Sequence, residues 1–135
     1  MAGDLPDYTK RIAVSVTVGV EQIPETALTE TPVVEQGRYS GTAQTAQTVA
    51  SWTVATAKTG VLKEISLVAD LPGHAEFTVS IGGTALFTDK LFQTTLTLVF
   101  PDLKIAAATV VLVEVESDDG TAIVVDAVIT GKEVG

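Results

Sequence analysis

Alternation of apolar and polar residues runs through this chain and predicts strands rather than helices. Residues 11–20 read RIAVSVTVGV, which places five β-branched side chains on one face and Ala, Ser, Thr and Gly on the other. After Gly41 the alternation returns in short runs, separated by turn residues about every eight to twelve positions. No stretch has a convincing period of about 3.6 residues. The pattern therefore predicts an all-β domain.

The runs after Gly41 can be assigned to strands and turns. They cover residues 48–57, 61–69, 75–81, 84–88, 91–100, 103–105, 109–117 and 121–131. Gly82-Gly83 predicts a two-residue hairpin turn, and Ser117-Asp-Asp-Gly120 predicts a second hairpin between the last two runs. About eight antiparallel strands with few aromatic residues fit a two-sheet sandwich. The pattern favours a jelly roll over an immunoglobulin-type key, which would carry a Cys–Trp–Cys signature.

Between these strands and the first one, residues 21–41 break the alternation. Pro24 and Pro32 lack the N–H that a central strand needs, and four glutamates occur before the first base, Arg38. This stretch predicts an extended, solvated connector with a hinge at residues 38–41. We accordingly expect two parts: an N-terminal strand and extended arm over residues 1–40, and a jelly-roll β-sandwich over residues 41–135.

The first forty residues are apolar for a segment without a core of its own. Such a strand must add to a sheet, either in its own subunit's sandwich or on another chain. The length of the arm and the flat Ala/Ser/Thr/Gly face favour docking on another chain. The predicted partner interface consists of Leu5, Tyr8, Ile12, Val14, Val16, Val18, Ile23, Leu28, Val33 and Tyr39, and Val20 and Val34 belong to the same apolar set.

Composition narrows the possible partners. Twenty Val, twenty Thr and seven Ile suit pleated sheet surfaces. A net charge of −9 opposes binding to phosphate backbones and anionic membranes. The longest apolar run, residues 105–113, is far shorter than the roughly 20 residues of a membrane-spanning helix. With no signal peptide pattern at the start, the sequence predicts a protein made in the cytoplasm that binds neither nucleic acid nor membrane.

Few residues suggest chemistry. The chain has no cysteine and a single histidine, His74, which follows Pro72-Gly73 in a predicted exposed turn. No Gly-x-Ser-x-Gly motif is present. Asp118-Asp119-Gly120 could contribute to a calcium site, but a plain turn is the favoured interpretation. We therefore expect no enzyme, no cofactor and no metal. The weaker candidate metal ligands are Asp70, Glu76 and Asp126, and Glu114 and Glu116 are expected on a solvated strand face.

Three aromatic residues could in principle stack on sugars. Trp52 is in phase with Val54 in a predicted strand, which favours burial in the core over a sugar platform. Tyr8 and Tyr39 lie in the N-terminal part, where a tyrosine ring is better suited to anchor an interface.

The opening DLPDYTKRIAVSVTV and the later runs SWTVATAKTGVLKEISLVAD and LKIAAATVVLVEVESDDGTAIVVDAVITGKEV resemble small virion structural proteins of tailed bacteriophages, of the decoration, cement or head-fibre type. The resemblance implies a non-enzymatic jelly-roll protein, commonly a trimer, on the exterior of a capsid. It would bind the major capsid protein or another virion protein and clamp neighbouring subunits with extended arms. Two alternatives stay open: a carbohydrate- or receptor-binding sandwich, and a filament subunit assembled by donor-strand exchange.

Overall fold

The computed structural model describes residues 28–135 as eight antiparallel strands in two four-stranded sheets. The strands are β1 (Glu30–Gly41), β2 (Gln47–Thr53), β3 (Thr59–Ala69), β4 (Ala75–Ile81), β5 (Thr84–Leu91), β6 (Leu96–Ile105), β7 (Val110–Ser117) and β8 (Ile123–Val134). One sheet has the order β1-β8-β3-β6 and the other β2-β7-β4-β5. A single 3-10 turn, Pro72–His74, is the only helical element among these residues. No helix in this part of the chain has the length and apolar character to cross a membrane.

The strand pairing is that of a jelly roll. β1 pairs with β8, β2 with β7, β3 with β6 and β4 with β5, so the chain folds back on itself as one long ribbon. The ribbon turns at Gly82-Gly83, where both glycines have positive φ (59° and 82°), as a tight two-residue hairpin turn requires. Rolling the ribbon up places β8 beside β3 and β7 beside β4. The predicted fold class, an antiparallel jelly-roll sandwich, is confirmed.

The core lies between the two sheets and follows the alternation in the sequence. In β7, and in β8 as far as Ile129, every second residue is buried, and the fully buried side chains are almost all aliphatic. The largest of them are Leu62, Ile65, Leu67, Ile123 and Ile129. The two isoleucines Ile65 and Ile129 face each other across neighbouring strands. Trp52 is also buried, as its phase with Val54 predicts.

β1 corrects the predicted connector. Residues 30–41 form a full strand on β8, and no hinge lies at residues 38–41. Pro32 does not prevent this, because β1 is an edge strand and proline costs little where one side of the strand is unpaired. Within the described residues the sandwich therefore begins at Glu30, inside the range assigned to the arm.

The predicted hairpin between the last two strands is wrong. β7 and β8 lie in different sheets, so the Asp118-Asp119-Gly120 turn crosses from one sheet to the other. The Ser117 hydroxyl is buried there and donates a hydrogen bond to the carbonyl of Thr121 at 2.8 Å. Local turn chemistry matches both a hairpin and a crossover, and only the long-range pairing of β8 with β1 and β3 separates them.

A second difference concerns β6. The sequence predicts a strand end at Pro101-Asp102, but β6 continues through both residues to Ile105. Asp102 has a φ of 55°, and the pairing of β6 with β3 shifts register opposite Leu62 and Glu64. This is a β-bulge on an edge strand, a place where proline and a positive φ are both tolerated.

Candidate functional site

The predicted interface residues fall into two groups. Leu5, Tyr8, Ile12, Val14, Val16, Val18 and Ile23, together with Val20, lie outside the described residues. Of the others, Leu28 is exposed just before β1, but Val33 is part of the core. Tyr39 packs against the core, and its hydroxyl accepts a hydrogen bond from the Ala43 N–H at 3.1 Å. Val33 and Tyr39 thus contribute to their own sandwich, and the buried Val33 side chain offers little surface to a partner.

Part of the outer surface of the β1-β8-β3-β6 sheet carries few charges, whereas the row beyond Val34 contains Lys132 and Lys104 together with Pro32 and Val61. The outward side chains of the part with few charges lie in four rows across the sheet, and we call these four rows the neutral face. The rows consist of Val34, Thr130, Glu64 and Val99; of Gln36, Val128, Ser66 and Thr97; of Arg38, Asp126 and Val68; and of Ser40 and Val124. Val34 and Val99 are 66% and 72% exposed. Most of the neutral face is therefore valine and small polar side chains in contact with solvent.

The one base of the neutral face is matched by a carboxylate. Arg38 donates two hydrogen bonds to Asp126, from Nε to Oδ1 at 2.8 Å and from Nη2 to Oδ2 at 3.2 Å. The hydrogen bond from Arg38 lowers the pKa of Asp126, with a smaller contribution from the attraction of the guanidinium. The pair leaves Glu64 as the single carboxylate of these rows without a basic partner, and Glu64 accepts a hydrogen bond from the Ser66 hydroxyl.

The outer surface of the other sheet has the opposite character. Its outward positions on β2, β4 and β7 include Glu76, Glu114 and Glu116 and no lysine or arginine, and we call this surface the acidic face. Glu76 and Glu116 stand directly opposite each other on β4 and β7. Like charges in that arrangement repel. The predicted solvated face containing Glu114 and Glu116 is confirmed by their alternation with the buried valines of β7.

Asp89 on β5 adds to the negative charge of the acidic face. A hydrogen bond with Asp89 raises the pKa of Glu116, and partial burial and the charges of Asp89 and Glu76 act in the same direction. Asp89 also accepts a hydrogen bond from the Thr78 hydroxyl at 3.3 Å. The two faces of the sandwich thus differ sharply in charge.

The two sides of the sandwich also differ. On one side the edge strands β1 and β2 pack against each other. On the other side the edge strands β5 and β6 make almost no contact, although each is paired along only one of its edges among the described residues. We call this second side the open edge. It presents two rows of backbone groups without a strand partner.

The inner wall of the open edge is apolar and only half covered. Leu96, Leu98 and Phe100 have the inward phase of β6 and pack on the core, yet remain partly exposed. Phe87 is the one half-buried residue of β5, and the other residues of this strand are exposed. Phe92 stacks edge-on against Phe87, with 5.3 Å between ring centroids. Three of the four phenylalanines of the chain therefore lie partly in solvent at the open edge.

The only histidine lies in a small polar cluster between two loops. His74 Nδ1 is 2.9 Å from Asp118 Oδ1 and 3.4 Å from Asp119 Oδ1, and the Asp118 N–H donates to the carbonyl of His74. These contacts join the β3–β4 connection to the β7–β8 crossover. The Asp118 hydrogen bond raises the pKa of His74. Hydrogen bonds from Thr121 lower the pKa of Asp119.

Among residues 28–135, two groups of side chains have ligand atoms close enough together to hold a cation. They are His74, Asp118 and Asp119, and Glu76, Asp89 and Glu116, with ligand atoms within 4.8 Å of one another in each group. Both groups are at least partly exposed, and hydrogen bonding within each accounts for its geometry. The other candidate ligands are used structurally: Asp70 accepts a hydrogen bond from the Val124 N–H at 2.8 Å, and Asp126 binds Arg38.

The His74 cluster predicts a pH dependence of stability. Because the folded-state pKa of His74 lies above its ordinary value of about 6.5, protonated His74 stabilises the fold below that pH. This contribution is lost as the pH rises through the folded-state pKa. We expect NMR titration of the imidazole to give a pKa above about 6.5 and Asp118→Asn to lower it. Asp102→Asn, at a carboxylate that faces Lys63, should leave it unchanged. A wild-type pKa at or below the ordinary value would contradict the prediction.

The neutral face is not among the features that the sequence predicts. A signal for it exists in β8, where Val124 and Val128 occupy the phase opposite to the core residues. A strand that is apolar in both phases is covered on both faces or offers one of them to a partner. The open edge left no comparable signal, because its phenylalanines occur at ordinary core positions of their strands.

The comparisons with known proteins give a distant likeness of fold. No protein family model matches the chain, and no curated protein matches it. Among solved structures, the fold is similar to a chain in the acidic stable capsid structure of Helicobacter pylori bacteriophage KHP30. The two share 12% sequence identity and a TM-score of 0.44, over 77% of this chain and 92% of the other. A likeness at this level does not bear on the function of this chain.

Proposed function

We propose that this chain is a non-enzymatic structural protein of a virion, of the decoration or cement type, that binds and stabilises a capsid lattice. The observation that carries the proposal is the contrast between the neutral face and the acidic face of one small sandwich. The resemblance of the sequence to virion structural proteins of tailed bacteriophages supports the same function. In this proposal the neutral face docks on the shell, and the acidic face remains in solvent.

The neutral face is suited to binding a protein surface. Burying valine side chains is favourable by roughly 25 cal/mol per Å² of apolar area. The pairing of Arg38 with Asp126 limits the desolvation cost, because it leaves Glu64 as the single charged side chain of the neutral face without a basic partner. A pre-formed sheet loses little conformational freedom on binding, so more of the contact free energy remains as affinity.

The acidic face serves a different purpose in this proposal. Glu76, Glu114 and Glu116 give free copies a mutual repulsion through that surface, which keeps them soluble before they bind. On the shell, the same charges limit contact between the outward surface and other acidic proteins. The protein would thus lie on the capsid exterior, with the major capsid protein or another virion protein as its partner and with neighbouring copies joined through their N-terminal segments, most simply as a trimer.

The structure does not favour the carbohydrate-binding alternative. The Trp52 ring is 3% exposed, so it offers no stacking surface to a sugar. The Tyr39 hydroxyl is engaged by Ala43, and its ring packs on the core. Neither ring forms an exposed platform of the kind that stacks on a sugar.

A binding assay with shells tests the proposal. Empty shells of the virus that encodes this chain, prepared without the protein, are mixed with increasing amounts of it and sedimented. We expect saturable binding with a fixed number of copies per capsomer. Val34→Glu or Val99→Glu should weaken binding at least about tenfold, because either change adds a second unpaired carboxylate to the row that contains Glu64.

The control for these variants is Ser51→Glu. Ser51 is an exposed position of β2 on the acidic face, so the added charge is the same and the location differs. This variant should bind like the wild type. Absence of saturable binding would overturn the proposed function, and binding unaffected by Val34→Glu and Val99→Glu would overturn the assignment of the neutral face.

A further inference from the structure

We propose that the open edge is the acceptor site for residues 11–20 of a second copy of this chain, which adds as a strand between β5 and β6. The inference rests on the intersubunit arm of the proposed function and names the surface that receives it. The open edge needs an apolar strand as its occupant. The leading segment, residues 1–27, contains one sequence with the required pattern.

The acceptor offers both elements of strand addition. β5 and β6 each have one edge without a partner among residues 28–135, and their N–H and C=O groups can bind an added strand. Behind them, Phe87, Phe92 and Leu98 present partly exposed apolar surface on the inner wall. An apolar side chain that enters between the two sheets would bury this surface and complete the core on that side.

The donor sequence fits this acceptor. Residues 11–20 place Ile12, Val14, Val16, Val18 and Val20 in one phase, with small side chains in the other. Its apolar phase would face the phenylalanines, and its small phase would face away from the core. The stretch contains no acidic residue and one base, Arg11, so it adds no negative charge to a strongly acidic chain.

We assign the strand to a second copy because the proposed function joins neighbouring copies through their N-terminal segments. The leading segment joins the described residues at Leu28, beside β1, whereas β6 lies three strands away in the same sheet. That separation is roughly 14 Å across the sheet. Residues 21–27 reach at most about 25 Å, so the segment is long enough to reach the open edge of its own molecule as well, and the cross-linking experiment below distinguishes the two arrangements. Side-by-side copies bring the start of β1 in one next to the open edge of the other.

Such a contact is head-to-tail, since the two surfaces are different. Head-to-tail contacts close into rings when the rotation between copies allows it, and otherwise continue as filaments. A closed ring agrees with the trimer expected from the sequence resemblance.

Cross-linking between two differently labelled copies tests the inference. The chain has no native cysteine, so single cysteines can be introduced in the full-length protein. Val16→Cys marks the donor, and Leu98→Cys marks the open edge. The two variants are mixed, allowed to exchange subunits under mild denaturation and refolding, and treated with a short bis-maleimide. We expect a cross-linked band that contains one copy of each variant.

Two controls define the result. Replacing Leu98→Cys by Ser51→Cys, on the acidic face, should remove the mixed band. In the full chain, Val16→Asp should lower the mass measured by light scattering to that of a monomer, whereas Thr17→Asp, in the other phase of the same stretch, should not. A double variant, Val16→Cys/Leu98→Cys, is treated in the same way. The inference is overturned if the two single variants form no mixed band, or if only the double variant reacts and its cross-link lies within one chain. Fibres in electron micrographs would overturn the closed ring and retain the strand addition.

The inference and the proposed function can fail separately. If shells bind the protein but no mixed band forms, the lattice role stands without this acceptor site. If the mixed band forms but shells are not bound, the open edge serves a self-assembly that has another purpose.

Discussion

Gly37→Ala is expected to lower the free energy of unfolding by about 3 kcal/mol or more, in the upper range of overpacking substitutions. A Cβ atom at this position would overlap the backbone carbonyl oxygen of Val49 and press on the Cα of Ala50. Backbone atoms cannot turn away as a side chain would. To relieve the overlap, β1 would have to separate from β2, which opens the packed side of the sandwich. Urea denaturation followed by Trp52 fluorescence measures the effect.

The matched control is Gly73→Ala. A Cβ atom at Gly73 meets nothing within 4 Å, so this change should leave the unfolding midpoint nearly unchanged. The comparison separates the general effect of replacing a glycine from the close approach at Gly37. If Gly37→Ala unfolds at the wild-type midpoint, β1 does not lie against β2 as described. Because β1 begins at Glu30, a deletion that tests the N-terminal segment must also stop before that residue.

Ile65→Ala is expected to lower the free energy of unfolding by about 2–5 kcal/mol, as for other truncations of buried isoleucine and leucine. Ile65 is fully buried in β3 and lies opposite Ile129 of β8. Its neighbours are held in two sheets and can close only part of the cavity. Loss of this much free energy is serious for a small domain, whose total stability is typically about 5–15 kcal/mol.

Val99→Ala provides the comparison within the same sheet. Val99 is 72% exposed on the neutral face, so truncating it should change the stability by less than about 0.5 kcal/mol. Equal destabilisation by the two variants would contradict the assigned inner and outer phases. Together with the shell assay, Val99 variants separate residues that hold the fold from residues that bind a partner.

Predicting the candidate site from the sequence succeeded where a residue's phase within its own strand decides its position. Trp52 and Val54 share the inward phase of their run and are buried. Glu114 and Glu116 have the outward phase of β7 and face solvent. The prediction failed where the position of a side chain depends on pairing with a strand that is far away in the sequence. Val33 and Val34 both belong to an apolar set, yet β8 pairs with β1 in a register that buries Val33 and exposes Val34.

The sequence by itself determined that this protein is an antiparallel sandwich. The two-residue period and the high content of β-branched residues, about one third of the chain, are local properties of the individual strands. It did not determine that residues 30–41 form an edge strand, that the Asp118-Asp119 turn crosses between sheets, or that β5 and β6 are left apart. Those features follow from pairing between strands far apart in the chain. The tertiary structure therefore decided which valines form the neutral face and where the open edge lies.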